Sequence, residues 1–341
     1  MGDYKPTYTI TEETLSLTAE ICEVIGSTRS LRDDLWSSKL RRENRIRTIH
    51  SSLAIEQNTL SLEQVTDIIN GKRVLGKPNE IREVQNAYAA YSILTELSPF
   101  AVVDLQRAHS LMMEGLVKEN GQFRSGGVGI FSGERLIHMA PPAEMVFPLI
   151  TQLLAWYKAS GLHPLVKSCI FHYEFEFIHP FQDGNGRMGR MWHSLLLGQW
   201  RKFFLWFPIE ELLRSQTIGY YEALRKSDQA ADCTDFIEFM LKVLLKCVKD
   251  HVKSDQVTDQ VTDQDKVKNK VAKDVDAAHR LAQALGRRTL SAAQLMERLG
   301  LTHRPTFRKN YLNPALEAGL IEYTLPEKPN SKNQKYRKAK K

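Results

Sequence analysis

The sequence predicts a mainly α-helical fold, with one β-hairpin inside a helical core and a winged helix-turn-helix at the carboxyl end. Apolar residues recur at three- and four-residue spacing from residue 12 to about residue 249, for example over 164–177. Residues 126–142 instead alternate in polarity around glycines, which is typical of a hairpin. Three short helical patterns and a strand-turn-strand pattern follow near the end of the chain.

Length and composition favour two or three domains. The chain has 341 residues, of which 42% are hydrophobic and 26% charged. We expect an N-terminal helical region over 1–100, a core over 101–250, a linker over 251–276 and a C-terminal domain over 277–341. The apolar stretches are too short to cross a bilayer, so we expect no membrane partner. No secretory signal pattern precedes the first helix, which predicts a cytoplasmic protein.

Cysteine spacing and net charge bear on whether the protein is held by disulfides, binds zinc or has an anionic partner. The four cysteines lie far apart, which favours buried thiols over a disulfide framework or a zinc site. The net charge is +7, and seven basic residues lie between Lys328 and Lys341. Such a tail indicates either an anionic partner or a solvated terminus.

The predicted linker has a distinct composition. Residues 254–274 are rich in Asp, Gln, Val, Thr and Lys and contain the near-repeat Asp-Gln-Val-Thr at 255–258 and 259–262. Helical patterns follow at 277–285, 292–299 and 304–318, and strand patterns at 319–323 and around Tyr336.

The segment 177–190, Phe-Ile-His-Pro-Phe-Gln-Asp-Gly-Asn-Gly-Arg-Met-Gly-Arg, concentrates reactive residue types. Pro180 disfavours helical geometry at His179, so we expect the helix before it to end there and to present the imidazole at a bend. The glycines and asparagine at 184–186 permit positive φ angles and close backbone approach. Successive N–H groups there can line an anion site.

A helix predicted to begin near Gly186 directs its amino-terminal dipole at the same place. Arg187 and Arg190 share one face of its first turn and can donate to one anion. Asp183 is suited to hold Mg²⁺ against a phosphate oxygen. An unperturbed histidine has a pKa of about 6.5 and is mostly neutral at cellular pH, so His179 is a candidate base for deprotonating a hydroxyl. Each residue alone fits a plain surface loop, and only their combination favours a nucleotide-phosphate site.

Residues 179–190 resemble the signature of the Fic family, HPFxxGNGRxxR, at every fixed position, and the resemblance extends over about residues 15–245. It implies a helical Fic core that transfers AMP from Mg²⁺-ATP to a Ser, Thr or Tyr hydroxyl of a target protein and of itself. By this resemblance His179 is the catalytic base and Asp183 the metal ligand. The nucleotide-binding residues are Asp183, Gly184, Asn185, Gly186, Arg187, Met188, Gly189 and Arg190. Relatives that act as kinases carry Lys at the position of Gly186, so this glycine favours adenylyl transfer.

A helix predicted at about 44–57 resembles the inhibitory motif of Fic proteins, S/T-x-x-x-E-G/N. Ser52 and Glu56 lie one turn apart on one face. The resemblance implies that Glu56 pairs with Arg190 and biases bound ATP into a non-productive pose. Gln57 departs from the motif, with Asn58 as a candidate substitute, and a plain helix end is the alternative. In some relatives this glutamate also helps to remove AMP from targets, which stays open here.

Residues 126–142 resemble the Fic flap, which pairs with a target segment as an added strand. The edge strand expected to pair with the target is formed by Leu136, Ile137, His138 and Met139. We include these four residues among the expected nucleotide-site residues. An ordinary surface hairpin is the alternative.

Tyr220 resembles the aromatic that packs on adenine in the family, although a tyrosine at helical spacing also fits a core position. Asp228 stands where an asparagine often follows in the family.

Arg304, Arg308 and Lys309 fit the second helix of a winged helix, where they would contact DNA phosphates. The same module also serves protein docking or dimerisation, so a homodimer stays open. The alternative function is a nucleotide-sensing DNA-binding regulator. Transfer of another group, such as UMP or phosphocholine, is a third alternative.

Overall fold

The computed structural model describes residues 5–28, 31, 36–132, 135–286, 288–301, 303–328, 331 and 333–339. The chain divides into two compact units, Met1–Lys253 and Ser254–Lys341. Helices dominate both, which confirms the predicted mainly α-helical class. No helix among these residues is long and apolar enough to cross a membrane. The four cysteines are free thiols, and three of them are buried.

The first unit is built from helices with one hairpin between them. The helices are α1 (Glu12–Ser27), α2 (Ser38–Ile55), α3 (Leu62–Ile69), α4 (Pro78–Ser92), α5 (Val102–Met112), α6 (Ala143–Ala159), α7 (Pro164–Ile178), α8 (Asn185–Trp200), α9 (Ile209–Ser215) and α10 (Thr217–Ala230). Strands β1 (Gly129–Ser132) and β2 (Arg135–Met139) lie between α5 and α6. Helix α11 (Thr234–Leu285) begins in the first unit and extends past Lys253.

Helices α7 and α8 form the centre of the first unit. Both are buried on nearly every side, and α8 buries Arg187, Arg190 and His193 together with its apolar residues. Phe171 and Phe175 of α7 pack into one apolar cluster with residues of α2 to α6. Ile170 and Tyr173 pack into a second cluster with residues of α1 and α9 to α11. The short loop that joins α7 to α8 therefore connects two helices that are packed on both sides, and its Phe181 belongs to the first cluster.

The predicted hairpin is present as antiparallel β1 and β2, with Gly129 opposite Met139 and a register shift between Ile130 and Phe131. Residues 133 and 134 of the predicted turn lie outside the described residues. The same holds for the side chains of 130–138, so Leu136, Ile137 and His138 are described here by their backbone alone. Met139 is exposed.

The second unit follows the predicted order of helices and strands. It contains β3 (Leu290–Ser291), α12 (Ala292–Arg298), α13 (Arg304–Phe307), a π-helical turn (Arg308–Leu312), α14 (Asn313–Glu317), β4 (Ile321–Tyr323) and β5 (Lys335–Lys338). The antiparallel sheet has the order β3-β5-β4, and the pairing of β3 was not predicted. A separate core around Phe307, Leu295 and Tyr336 lies beneath it.

The segment 251–276, whose composition indicates a linker, has helical backbone as part of α11. It contains neither Gly nor Pro, so nothing in it interrupts a helix. The boundary between the two units falls inside this segment, after Lys253. The domain limits drawn from the sequence stay predictions.

Candidate active site

His179 lies at the turn where α7 ends, as the Pro180 argument predicts. Its backbone is left-handed, with φ 50° and ψ 62°, and its N–H donates to the Phe175 carbonyl at 3.0 Å. Few residues other than glycine adopt this conformation, which costs about 1 kcal/mol. Nδ1 of the half-buried imidazole lies 3.3 Å from the Glu176 carbonyl oxygen. A proton on Nδ1 would donate to that oxygen and leave Nε2 as the basic nitrogen.

Asn185 closes the loop after His179. Its side-chain oxygen accepts from the Phe181 N–H at 2.8 Å, and its amide donates to the Phe181 carbonyl at 2.9 Å. Gly184 has a φ of 83°, and a Cβ there would lie 2.7 Å from the Met113 sulfur. Glycine is therefore required for both backbone conformation and space.

His109 of α5 supports the same loop from the interior, and the sequence did not single it out. Its Nδ1 accepts from the Gly121 N–H at 2.9 Å, so Nε2 carries the proton and donates to the Asp183 carbonyl at 3.0 Å. Its ring stacks on Phe181 with centroids 3.7 Å apart. Burial lowers the pKa of His109 to about 4, so the ring stays neutral near pH 7.

Arg190 is buried on the first turns of α8 and binds the end of α2. Its Nε donates to the Ser52 hydroxyl at 3.0 Å, and Nη2 donates to the Ser52 carbonyl at 3.1 Å and to Glu56 Oε1 at 2.7 Å. Burial alone would lower the pKa of Arg190, but the Glu56 carboxylate outweighs it and the pKa is raised. The ion pair predicted between Glu56 and Arg190 is present in the structure.

The Glu56 carboxylate lies against the glycine-rich turn. A Cβ on Gly186 would lie 2.5 Å from Glu56 Oε1 and 3.0 Å from Arg190 Nη1. Nη1 is buried without a hydrogen-bond partner among the described residues. The amino-terminal turn of α8 and a guanidinium therefore meet at one point, and a carboxylate already lies there.

Gln57 adopts the left-handed conformation, with φ 68°, that the motif normally assigns to Gly or Asn. Its N–H donates to the Ala54 carbonyl and the Asn58 N–H donates to the Leu53 carbonyl, each at 3.1 Å. These two bonds form a Schellman cap, whose left-handed residue is usually glycine. Gln57 therefore fills the expected position itself, and Asn58 does not substitute for it.

Arg187 has a carboxylate partner that sequence reasoning missed. Its Nη1 lies 3.5 Å from Glu83 Oε1 of α4, and its Nη2 lies 3.4 Å from Asp183 Oδ1. Asn58 donates to the other Glu83 oxygen at 2.7 Å. The end of α2 is thus connected through Glu83 to the second arginine of the site.

Asp183 has an exposed carboxylate at the mouth of the loop, and its Oδ1 accepts from the Gly184 N–H at 2.5 Å. No group of three or more His, Cys, Asp or Glu in the described part of the chain could hold a metal ion. One exposed carboxylate beside an anion site fits Mg²⁺, which takes one or two carboxylates together with phosphates and water.

Two predicted nucleotide-binding residues face the interior instead. Met188 is fully buried in the first apolar cluster. Gly189 packs against Glu176 and Phe175, where a Cβ would overlap the Glu176 carboxylate. Within the motif, both residues therefore contribute to the packing of α8 against its neighbours.

Tyr220 is also a core residue. It is 1% exposed, and its hydroxyl lies 3.0 Å from His172 Nε2. The next residue, Tyr221, is 47% exposed. Partial burial and the Glu56 carboxylate raise the pKa of Tyr221 to about 12. The accessible aromatic ring beside Glu56 is therefore that of Tyr221, which the sequence did not distinguish from its neighbour.

Two buried acids lie beneath the arginines. Oε1 of Glu176 lies 3.6 Å from Nε2 of His172. Glu210 accepts a hydrogen bond from the Tyr91 hydroxyl at 3.2 Å. Burial raises the pKa of each carboxyl to about 7. Both therefore favour the neutral form well above the usual range of a glutamate.

Paired arginines and the glycine-rich first turn of a helix are the donors that proteins use to bind nucleotide phosphates, and the helical core brings them together here. The Fic/DOC family model matches residues 99–197, and the model of the Fic-like C-terminal domain (Filamentation induced by cAMP protein Fic-like) matches residues 276–339. A crystal structure of a Fic family protein from Desulfovibrio desulfuricans is 51% identical, covers 99% of both chains and has a TM-score of 0.72. The chain belongs to the Fic family.

More distant relatives share part of the chain. Protein adenylyltransferase Fic of Drosophila persimilis is 27% identical over 248 residues, which are 65% of this chain and 46% of the relative. That of Culex quinquefasciatus is 25% identical over 218 residues, 61% of this chain and 41% of the relative. The chain thus spans less than half of these curated relatives. Fic-1 of C. elegans (residues 134–508) shares the fold, with a TM-score of 0.58. It is 22% identical, and the match covers 72% of this chain and 73% of that chain.

Replacing Gln57 by Gly should raise the free energy of unfolding by about 1 kcal/mol, because glycine adopts the left-handed conformation without strain. Urea unfolding at constant m-value measures the change. Gln57→Ala retains the Cβ and should give little gain. An equal gain in both variants would contradict the backbone explanation.

Stability should fall with rising pH because of Glu176. Burial raises its folded pKa to about 7 from the ordinary glutamate value of 4.5, so its contribution to stability is complete below about pH 4.5 and is lost as the pH rises through 7. Between pH 5 and 8 the wild type should lose up to about 3 kcal/mol relative to Glu176→Gln. Urea unfolding at both pH values tests this, with the exposed Glu222→Gln as control. Parallel pH profiles of wild type and Glu176→Gln would refute it.

Proposed function

We propose that this chain is a protein adenylyltransferase, which transfers AMP from Mg²⁺-ATP to a Ser, Thr or Tyr hydroxyl of a target protein and of itself. The observation that carries the proposal is the meeting of Arg190, Gly186 and the Glu56 carboxylate at the amino-terminal turn of α8. A site that already holds one carboxylate on a guanidinium, close to Gly186 in the first turn of a helix, is suited to phosphate oxygens. The relatives named protein adenylyltransferase Fic support the same reaction.

The residues of the loop and of the first turns of α8 would have separate roles in the reaction. Arg187 and Arg190, with the N–H groups of the first turn of α8, would bind the β- and γ-phosphates. Asp183 would hold Mg²⁺, which neutralises charge on the phosphates when bound. His179 would take the proton of the target hydroxyl on Nε2, since Nδ1 faces the Glu176 carbonyl.

The reaction is a substitution at the α-phosphorus. A bond forms between the target oxygen and this phosphorus, and the bond to the oxygen that bridges the α- and β-phosphates breaks. The hydroxyl proton moves to His179, and pyrophosphate leaves. Donors fixed before the reaction stabilise the charge that develops on the phosphate oxygens.

Glu56 would restrain this activity. Its 2.7 Å bond to Arg190 occupies a donor that the γ-phosphate needs, and the bond is shielded from solvent on the arginine side. Glu83 occupies Arg187 in a similar way at 3.5 Å. Productive binding of ATP would therefore require Glu56 to leave Arg190.

Glu56→Gly should increase AMP transfer by roughly 10- to 100-fold, the equivalent of one charge-assisted hydrogen bond. His179→Ala in the same background should abolish it, because no base receives the proton. Purified protein with Mg²⁺ and ATP labelled at the α-phosphate, followed by intact-mass analysis for an added AMP, measures both effects.

Matched controls separate the charge of Glu56 from helix stability. Glu56→Gln keeps the size of the side chain and should also activate. Glu43→Gln alters an exposed carboxylate of α2, 3.9 Å from Lys39, and should not. Label transfer that persists after His179→Ala would exclude His179 as the base, and a different added mass would identify UMP or another group.

A second candidate function, DNA binding by the second unit, has one specific observation in its favour. Residues 303–316 contain no acidic residue, and Arg304, Thr306, Arg308 and Asn310 are exposed there. Exposed arginines and amides on one helical segment suit phosphate and base contacts.

If this surface binds DNA, the double substitution of Arg304 and Arg308 by Ala should weaken binding roughly tenfold and reduce the salt slope by about 2. Footprinting and salt titration on the upstream DNA of its own gene measure this, with substitution of the exposed Arg225 of α10 by Ala as control. Absence of protection at low salt would exclude this function.

A further inference from the structure

Arg124 is a buried arginine that donates to four main-chain carbonyls at once. Its Nε donates to His179 O at 2.7 Å and Nη1 to Gly126 O at 2.9 Å. Nη2 donates to Pro141 O at 2.5 Å and to Ile178 O at 3.2 Å. Arg124 lies in the connection between α5 and β1 and is 3% exposed.

Two of these acceptors fix the turn that carries the imidazole. Ile178 and His179 are at the carboxyl end of α7, where unsatisfied carbonyls favour a cation. The Arg124 N–H donates to the next carbonyl, that of Pro180, at 3.0 Å. Three successive carbonyls around the left-handed His179 are therefore bound by one residue.

The other two acceptors flank the hairpin. Gly126 precedes β1 and Pro141 follows β2, and the Ala140 N–H closes the base of the hairpin on the Val128 carbonyl at 3.1 Å. One guanidinium thus spans both ends of the hairpin and the turn of His179. A planar fork with five N–H groups can bind these divergent carbonyls, whereas the single ammonium of a lysine cannot.

We propose that Arg124 is a positioning residue that holds the β1–β2 hairpin in register with His179, so that a target segment paired with the hairpin presents its hydroxyl to the imidazole. This inference rests on the proposed adenylyl transfer. Arg124 has no role in binding ATP, because its donors are directed at the hairpin and at α7. Loss of Arg124 would remove the donors that hold the hairpin and the His179 turn together, and transfer falls steeply when reacting groups are misplaced by about 1 Å.

The test is Arg124→Lys in the Glu56→Gly background. We expect kcat for AMP transfer to a protein target to fall roughly 100-fold while the KM for ATP and the Kd for ATP stay unchanged. Hydrogen exchange should become faster in the backbone amides of 128–140 and 178–181, but not in those of α8 beyond Met188. Arg298→Lys is the matched control, because Arg298 donates to a single carbonyl, that of Ala284, in the second unit.

A second variant keeps the test possible if the first variant does not fold. If Arg124→Lys does not fold, Arg124→Gln retains two amide donors without charge and should show the same separation of kcat from ATP affinity. Unchanged kcat in a folded variant, or a loss of ATP affinity equal to the loss of kcat, would overturn the inference. If the Glu56→Gly parent transfers no AMP, the proposed function fails, and the hydrogen exchange of the hairpin still decides whether Arg124 connects it to His179.

Discussion

The organisation of the site depends on the burial of Arg190. A guanidinium that is 1% exposed cannot be left without partners, so the surrounding chain must supply acceptors. Ser52 provides a hydroxyl and a carbonyl, and Glu56 provides a carboxylate. The same requirement connects α2 to α8, although more than 130 residues separate them in the sequence. An anion that enters the site competes with Glu56 for a charge that the fold has already desolvated.

The loop between α7 and α8 is rigid because several independent contacts determine its shape. Asn185 binds the backbone of Phe181 twice, His109 holds the Asp183 carbonyl, and Arg124 holds the carbonyls before it. The two apolar clusters on either side of α7 and α8 restrict movement of the helices themselves. Such a loop keeps its donors oriented before a ligand arrives, which reduces the reorganisation that binding would require.

Sequence patterns predicted the helical class, the hairpin and the central motif because each depends on local chemistry. Pro180 ends α7, and the glycines at 184 and 186 lie where the backbone or a neighbouring side chain leaves no space for a Cβ. Among the residues that act across long sequence distances, the Glu56–Arg190 pair was expected only from the family resemblance, and Glu83 was missed. Glu83 lies on an ordinary amphipathic helix, and only the fold brings it to Arg187. Tyr220 and Tyr221 differ by one position of helix rotation, which the sequence around them does not determine.

The left-handed backbone of Gln57 affects how stably Glu56 is bound to Arg190. Glu56 caps α2, and the next residue adopts a conformation that costs an L-residue about 1 kcal/mol. Unwinding of the final turn would release that cost at the moment when Glu56 leaves Arg190. A difference of this size changes the population of the released state about fivefold. If Glu56 restrains transfer as proposed, the residue at position 57 would set how often Glu56 leaves Arg190, and a glycine there would lower the residual activity of the wild-type protein.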